Sequence, residues 1–143
     1  MEVRIAIAKQ DKEEVVIYAH QLDKVVKTLQ KRIKELLMPQ FLSVKKGREQ
    51  YKVQQKSVIR IYRENRKLII DTLDGYFESY QALRDMKQIL SRDFIQISQS
   101  EIINRNYVQR VKITKAGLVE LYFIGDKISY SSRRYLKVLK EAL

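Results

Sequence analysis

The sequence contains no cysteine and only one histidine, which excludes most kinds of metal site and most catalytic nucleophiles. Without cysteine there is no disulfide, no thiolate nucleophile and no thiolate metal site. His20 has no second histidine at metal-binding spacing, so neither a zinc centre nor a histidine-based triad is expected. We therefore expect no metal site in this chain.

Glycine is also scarce, and the four glycines form no phosphate-binding loop. None of them belongs to a GxGxxG or GxxxxGK arrangement, so a nucleotide cofactor is not expected. Asp71 and Asp74 are carboxylates that could hold Mg²⁺, but they lie at a predicted turn, where aspartate is common for backbone reasons. We predict no cofactor, no small-molecule substrate and no enzymatic activity.

Long hydrophobic runs are missing as well. The apolar stretches are a few residues long and are broken by Lys, Arg or Gln, which argues against a membrane span or a signal peptide. The 143 residues are 45% hydrophobic, enough for one folded unit with a core. We expect a cytoplasmic protein.

Positive charge is abundant and unevenly distributed. The chain has 29 Lys and Arg against 17 Asp and Glu, a formal net charge of +12. Residues 41–70 hold 9 basic and 2 acidic residues, and residues 91–143 hold 10 and 5. Localised excess of this kind indicates a polyanionic partner, and nucleic acid is favoured over an acidic protein or anionic lipid.

The first 39 residues predict two short strands and one helix. Val3, Ile5 and Ile7 alternate with polar or small residues, and EEVVIYA at 13–19 is a second strand-like segment, so the two could pair as a hairpin through KQDK. From 21 to 38 apolar residues follow the helical period until Pro39 ends the run. This amphipathic helix is predicted to bury its stripe in the core, with dimerisation as the alternative.

From residue 40 onward short alternating strands dominate. Turn signals at KKGRE, ENR, NRN, TKAG and GDK separate them, and a short helix at 81–90 interrupts the series. Ser132 is a predicted N-cap of a final helix, which places Arg133 and Arg134 in its first turn. The helix dipole disfavours cations in the first turn of a helix. A bound anion would offset this cost and so account for the two arginines, although two solvated surface arginines are the simpler alternative.

Two motifs in this region resemble the LytTR family of bacterial DNA-binding domains. The segment FIQISQSEIINRNYVQRV at 94–111 is similar to the family signature. A strand followed by Ser-Arg-Arg before a terminal helix is similar to a second sequence motif of the family. The matching residues are Phe94, Ile97, Ser100, Ile102, Ile103, Asn104, Val108, Ser132, Arg133, Arg134, Tyr135 and Leu139. The resemblance covers roughly residues 40–143 and predicts two domains, 1–39 and 40–143.

The resemblance implies a fold and a site. The fold is mainly β with α, an elongated antiparallel LytTR-like structure with short helices that sends loops rather than a recognition helix into successive major grooves. Here it would follow the N-terminal hairpin and amphipathic helix. The DNA contacts would come from loops 63–67, 96–100 and 131–134. The candidate DNA-binding residues are Arg63, Asn65, Arg66, Lys67, Gln96, Ser98, Gln99, Ser100, Asn104, Ser132, Arg133 and Arg134.

The chain departs from the family pattern at one loop. The family often has Arg, His and Arg or Lys where this chain has Gln96, Ser98 and Gln99, and an aromatic residue at Glu101. Since glutamine can bind adenine N6 and N7 together, Gln99 indicates a different base preference rather than lost binding. Asn104 has two interpretations, a DNA contact or a side chain that satisfies turn backbone, and the second is favoured.

The predicted function is that of a sequence-specific double-stranded DNA-binding transcription regulator. A homodimer on repeated half-sites is expected. The short stand-alone members of the family are often encoded beside a small membrane protein that restrains them, so the resemblance also implies such a partner. The alternatives are a basic adaptor that docks an acidic protein, and an RNA-binding module, which would need a platform of exposed aromatics.

Overall fold

The computed structural model describes residues 1–7, 9, 13–37 and 40–143. The chain divides into two units, Met1–Pro39 and Gln40–Leu143. Across the described ranges, no helix combines the length and the apolar character needed to cross a bilayer.

The first unit contains one helix, α1 (Lys24–Leu37). Asp23 caps it, because its Oδ1 accepts a hydrogen bond from the Val26 backbone N at 2.9 Å. No residue of α1 is buried, so the prediction of a buried stripe is wrong. Among the described residues of this unit α1 is the one regular element, and Val26, Leu29 and Ile33 of its apolar stripe are only partly covered.

The predicted N-terminal hairpin is not found in the described residues. Residues 1–7 and 13–19 form no strand, and Gln10, Asp11 and Lys12 of its proposed turn lie outside the described part of the chain. The apolar residues Val3, Ile5 and Ile7 are each at least 90% exposed. Alternation alone does not make a strand here, because an isolated two-stranded hairpin is at best marginally stable in water.

The second unit contains ten strands in two antiparallel sheets. The larger sheet has the order β2-β1-β5-β4-β3-β7-β6, and the smaller has the order β10-β9-β8. The predicted class, mainly antiparallel β with short helices, is confirmed. The strands are β1 (Phe41–Lys46), β2 (Glu49–Gln54), β3 (Val58–Glu64), β4 (Lys67–Thr72), β5 (Gly75–Ser79), β6 (Phe94–Ser98), β7 (Glu101–Asn104), β8 (Val108–Ile113), β9 (Val119–Phe123) and β10 (Lys127–Ser131).

Strands β3, β7 and β6 carry a hydrophobic core on each face. Ile61 and Ile102 pack on one side with Leu83 and Met86 of helix α2 (Leu83–Ile89). On the other side Ile59, Ile97 and Ile103 pack with Leu121 and Phe123 of β9 and Leu139 of helix α3 (Leu136–Ala142). Because successive side chains of a strand point to opposite faces, neighbours such as Ile102 and Ile103 belong to different cores.

A buried carboxylate joins the two sheets. Asp71 of β4 has a fully buried side chain, which accepts from Arg60 Nε at 3.0 Å and also pairs with Lys127 of β10. Arg60 Nη1 reaches further, to the Ile128 carbonyl oxygen and to Ser129 Oγ, both at 3.0 Å. Asp71 is therefore a structural ion-pair partner, and its two neighbouring cations occupy the oxygens that a magnesium ion would need.

Candidate nucleic-acid interface

The β3–β4 turn (residues 64–67) displays the first group of predicted contacts. Glu64 pairs with Lys67 across the hairpin, so Asn65 and Arg66 form its tip. Asn65 has φ 57, a left-handed conformation that asparagine tolerates better than most residues. Arg63 and Arg66 are exposed, and neither has a side-chain partner among the described residues. Both guanidinium groups are therefore free to bind an anion.

Lys67 differs from its neighbours because it is already paired. Its Nζ lies 2.6 Å from Glu78 Oε1 of β5, and this hydrogen bond raises the pKa of the Lys67 ammonium. The positive charge is partly offset within the protein. Lys67 is thus a weaker candidate for DNA contact than Arg63 or Arg66.

The β6–β7 turn (residues 98–101) displays the second group. Ser98 Oγ accepts from the Ser100 backbone N at 3.2 Å, a bond that stabilises the turn. Gln96 is engaged at both ends of its amide, since it donates to the Ser98 carbonyl oxygen and accepts from Lys87 Nζ, each at 3.0 Å. Gln99 is exposed and has no side-chain partner in the described residues. Of the two glutamines, only Gln99 presents a free amide.

The β10–α3 segment (residues 131–135) contains the third group. Arg133–Tyr135 form a 3₁₀ turn, and α3 begins only at Leu136. Ser132 makes no side-chain cap, so its predicted capping role is wrong; its carbonyl oxygen instead accepts from the Tyr135 backbone N at 3.1 Å. Arg134 is exposed and has no side-chain partner in the described part of the chain.

These three segments meet at one end of the larger sheet. The Arg63 backbone N donates to the Ser100 carbonyl oxygen at 2.8 Å, which joins the first turn to the second. The Ser132 backbone N donates to the Ile97 carbonyl oxygen at 3.1 Å, which joins the third segment to the end of β6. Residues distant in sequence are thereby held on one surface by main-chain bonds.

Glu101 connects this surface to the smaller sheet. Its carboxylate accepts a hydrogen bond from Ser129 Oγ of β10, and the residue is partly buried at the start of β7. Burial raises the pKa of the Glu101 carboxyl, while the Ser129 hydroxyl and the Arg60 charge act in the opposite direction. Its contacts tie the β6–β7 turn to the smaller sheet, so Glu101 acts as part of the scaffold.

Asn104 is not on this surface. It is 1% exposed, its Nδ2 donates to the Val58 carbonyl oxygen at 2.9 Å, and its Oδ1 accepts from the Asn106 backbone N at 3.0 Å. Both ends of the amide are used inside the protein. The candidate DNA contact at Asn104 is therefore corrected to the structural role that was the favoured alternative.

The β8–β9 turn (residues 114–118) is a fourth element of the surface that the sequence did not reveal. Arg133 Nη2 donates to the Ala116 carbonyl oxygen. A pocket of about 410 Å³ lies between this turn, Ser98, Tyr130 and Arg133. The sequence predicted turns at TKAG and GDK, but not the register in which Ser131 pairs with Val119 and so brings the β8–β9 turn beside Arg133.

Acidic and metal-ligating side chains do not gather at this surface. Over the described ranges, no three His, Cys, Asp or Glu residues are grouped so that they could hold a metal ion. Glu64 is the acidic residue of the β3–β4 turn; Arg63 precedes it directly and Arg66 follows two positions later. The surface therefore combines free guanidinium groups with neutral amide and hydroxyl groups, which suits phosphates and base edges.

Similar sequences occur in proteins of Staphylococcus aureus named as uncharacterized HTH-type transcriptional regulators. The protein of strain NCTC 8325 is 35% identical over 79 residues, which cover 55% of this chain and 54% of that protein. The protein of strain MRSA252 is 34% identical over 79 residues, with the same coverage. The matched part of the chain thus spans about half the length of these relatives.

A solved structure and a family model match the second unit. The fold is similar to that of a LytTr DNA-binding domain from Bacillus cereus, with a TM-score of 0.69 and 15% sequence identity, over 73% of this chain and 97% of that one. The family model described as the LytTr DNA-binding domain matches residues 48–143, well over half of the chain. The chain belongs to the LytTR DNA-binding domain family.

Proposed function

We propose that the chain is a sequence-specific, double-stranded DNA-binding transcription regulator that reads DNA with turns instead of a recognition helix. The β3–β4 turn, the β6–β7 turn and the β10–α3 segment form the reading surface, and residues 40–143 carry it. The observation that supports this most is the pair of main-chain bonds, Arg63 to Ser100 and Ser132 to Ile97, that bring the three together.

The free side chains divide into two roles. Arg66, Gln99 and Arg134 are exposed and have no partner in the described residues, so their donors are available to base edges. Arginine binds guanine O6 and N7 through two donors, and glutamine binds adenine N6 and N7. Arg63 and Arg133 lie beside them and are assigned to phosphates, which fix the orientation of the protein on the duplex.

The proposal includes a binding mode that involves more than one groove. The β3–β4 turn is bonded to Ser100 at one end of the β6–β7 connection and the β10–α3 segment to Ile97 at its other end, and in the proposal these two segments enter successive major grooves. Regulators that read repeated half-sites bind as pairs whose symmetry matches the DNA. We therefore include a pair of copies on two half-sites in the proposal, which the protein-to-DNA ratio at saturation would measure.

The test begins with selection of bound duplexes from a random pool. Affinity for the selected site and for its single-base variants is then measured with the full chain and with Arg134→Ala. If Arg134 contacts guanine, its loss costs about 1 to 3 kcal/mol on the selected site and removes the preference at one base position. Arg134→Lys should restore only part of this, because an ammonium lacks the planar fork of donors.

Arg92→Ala is the matched control. Arg92 is an exposed arginine that precedes β6, at the opposite end of that strand from the β6–β7 turn. Its loss should leave base preference unchanged. Selection that yields no preferred sequence would refute the proposed function, whereas an unchanged preference in Arg134→Ala would refute only the role of that residue.

A further inference from the structure

The β8–β9 turn holds the side chain of Arg133 against the protein. Arg133 Nη2 donates to the Ala116 carbonyl oxygen. The next residue, Gly117, lies directly under the guanidinium: a Cβ at Gly117 would be 3.2 Å from Nε and from Nη2 of Arg133, and 3.4 Å from Cζ. The edge of the guanidinium that carries Nε and Nη2 therefore faces the turn.

The turn itself is held by several hydrogen bonds. The Gly117 backbone N donates to the Thr114 carbonyl oxygen at 3.0 Å, and the Thr114 backbone N donates to the Leu118 carbonyl oxygen at 2.8 Å. Leu118 N donates to Thr114 Oγ1 at 3.1 Å. Gly117 has φ +81, which glycine adopts without steric cost. The turn is thus a defined support for the arginine.

The side chain of Arg133 is oriented from outside the β10–α3 segment. Among the described residues its hydrogen-bond partner is Ala116, 17 positions earlier in the chain. With Nη2 anchored there, the Nη1 end of the guanidinium remains available for a ligand. An arginine held in place loses less side-chain entropy on binding than a free one, so a fixed guanidinium binds a phosphate more tightly.

We propose that Gly117 is a positioning residue for DNA binding: its missing side chain lets the β8–β9 turn hold Arg133 in the orientation that binds a DNA phosphate. This inference rests on the proposed function. It assigns a role to a turn that contains none of the predicted contacts. The ligand is one phosphate of the duplex backbone, and the turn acts on it through Arg133.

The test compares glycine substitutions at two turns. Gly117→Ala adds a methyl group against the guanidinium, whereas Gly125→Ala, in the β9–β10 turn, adds one where no atom lies within 4 Å. Both glycines have positive φ, +81 and +74, so the backbone strain of the two variants is matched. Only Gly117→Ala should move the Nε–H resonance of Arg133 in a nuclear magnetic resonance spectrum of the free protein.

Binding to the selected duplex is then measured at two or more salt concentrations. Gly117→Ala should weaken binding by roughly tenfold, the size expected when one charge-assisted contact is lost. The slope of log affinity against log salt should become shallower by about one. Gly125→Ala should bind like the wild type, and adding Gly117→Ala to Arg133→Ala should cause no further loss.

Three results would overturn the inference. These are wild-type affinity in Gly117→Ala, equal losses in Gly117→Ala and Gly125→Ala, or independent losses in the double variant. If Gly117→Ala does not fold, Gly117→Asn and Gly125→Asn replace the pair, because asparagine tolerates positive φ and still obstructs the guanidinium. A wild-type chain that prefers no duplex refutes the proposed function instead, and the free-protein spectrum still tests the contact between Gly117 and Arg133.

Discussion

Gln99 and Asn104 show that one motif contains both an exposed side chain without a partner in the described residues and a buried structural one. Both carry an amide and lie five positions apart in the segment that resembles the family signature. Asn104 uses both ends of its amide to hold the Val58 and Asn106 backbones, while Gln99 projects from a turn without a partner in the described residues. The sequence favoured the structural role for Asn104 but left the DNA contact open, because the hydrogen-bond capacity of the two side chains is the same.

Of the substitutions considered, that of Asp71 should reduce the free energy of unfolding most. Its carboxylate is buried and pairs with Arg60 and Lys127, which come from different sheets. Asp71→Asn removes the negative charge that both cations contact directly. We expect a loss of about 3 kcal/mol or more in the free energy of unfolding, since breaking a buried pair leaves uncompensated charge. Urea unfolding followed by circular dichroism measures it.

The control for Asp71 lies three residues away in the chain. Asp74 is exposed in the β4–β5 turn and forms no ion pair in the described residues. Asp74→Asn makes the same chemical change at the surface and should alter stability by no more than about 0.5 kcal/mol. Equal effects of the two substitutions would mean that Asp71 does not hold the sheets together.

At the scale of single elements, alternation and bounded apolar runs predicted most strands and missed the short strand β7. β3, β4 and β6 lie where apolar and polar residues alternate or where apolar runs are bounded by turn signals. β7 was not predicted, because its four residues are Glu101 and three buried ones that show no alternation. Its Ile102 and Ile103 face separate cores, so both faces of the strand are apolar, as in central strands generally.

The final helix was predicted three residues too early. Ser132 is a residue typical of an N-cap, but its backbone N is used to bond β6, and Arg133–Tyr135 continue as a 3₁₀ turn. The α-helix then starts at Leu136, so the two arginines lie in the 3₁₀ turn before the helix and not in its first turn. The hydrogen bond from Ser132 to β6 therefore prevailed over the preference of serine for an N-cap.

The apolar stripe of α1 supports a prediction about self-association. Val26, Leu29, Ile33 and Leu36 of α1, with Leu22 just before it, are separated by alternating steps of four and three residues, with β-branched residues at one heptad position and leucine at the other. This composition favours parallel two-stranded coiled coils. We expect Leu29→Asp to shift the chain toward monomer in analytical ultracentrifugation and to leave the thermal unfolding of residues 40–143 unchanged.

Gln30→Asp serves as the matched control for this substitution. It introduces the same charge one position along α1, at an exposed polar residue, and should leave self-association unchanged. Because no residue of α1 is buried, neither substitution should unfold the protein. A lower unfolding temperature in Leu29→Asp alone would show that the stripe contributes to the fold of the monomer.

At the scale of the whole molecule, the resemblance indicated three candidate contact segments but not their arrangement. These segments are residues 63–67, 96–100 and 131–134. Their meeting at one end of a sheet follows from strand order, in which β7 lies between β3 and β6. That order depends on pairings between residues some 40 positions apart, such as Arg60 with Ile103, and no local pattern encodes them.

The charge of this surface leads to the last prediction, a steep dependence of DNA binding on salt. Five cationic residues belong to the three contact segments or the β8–β9 turn and make no ion pair among the described residues: Arg63, Arg66, Lys115, Arg133 and Arg134. An arginine that enters a groove also displaces counterions from the phosphates beside it, so five such cations give a slope of log affinity against log salt of roughly −4 to −5. Lys67 is left out of this set because Glu78 already pairs with it.

The slope is measured by titrating a labelled duplex between 50 and 200 mM salt, about the range over which such binding changes most. Arg63→Ala, which removes a proposed phosphate contact, should make the slope shallower by about 0.9, while Arg92→Ala should not change it. A flat titration would exclude DNA as the partner of this surface and would favour docking of an acidic protein, whereas a steep slope that Arg63→Ala leaves unchanged would place the phosphates on another face of the domain.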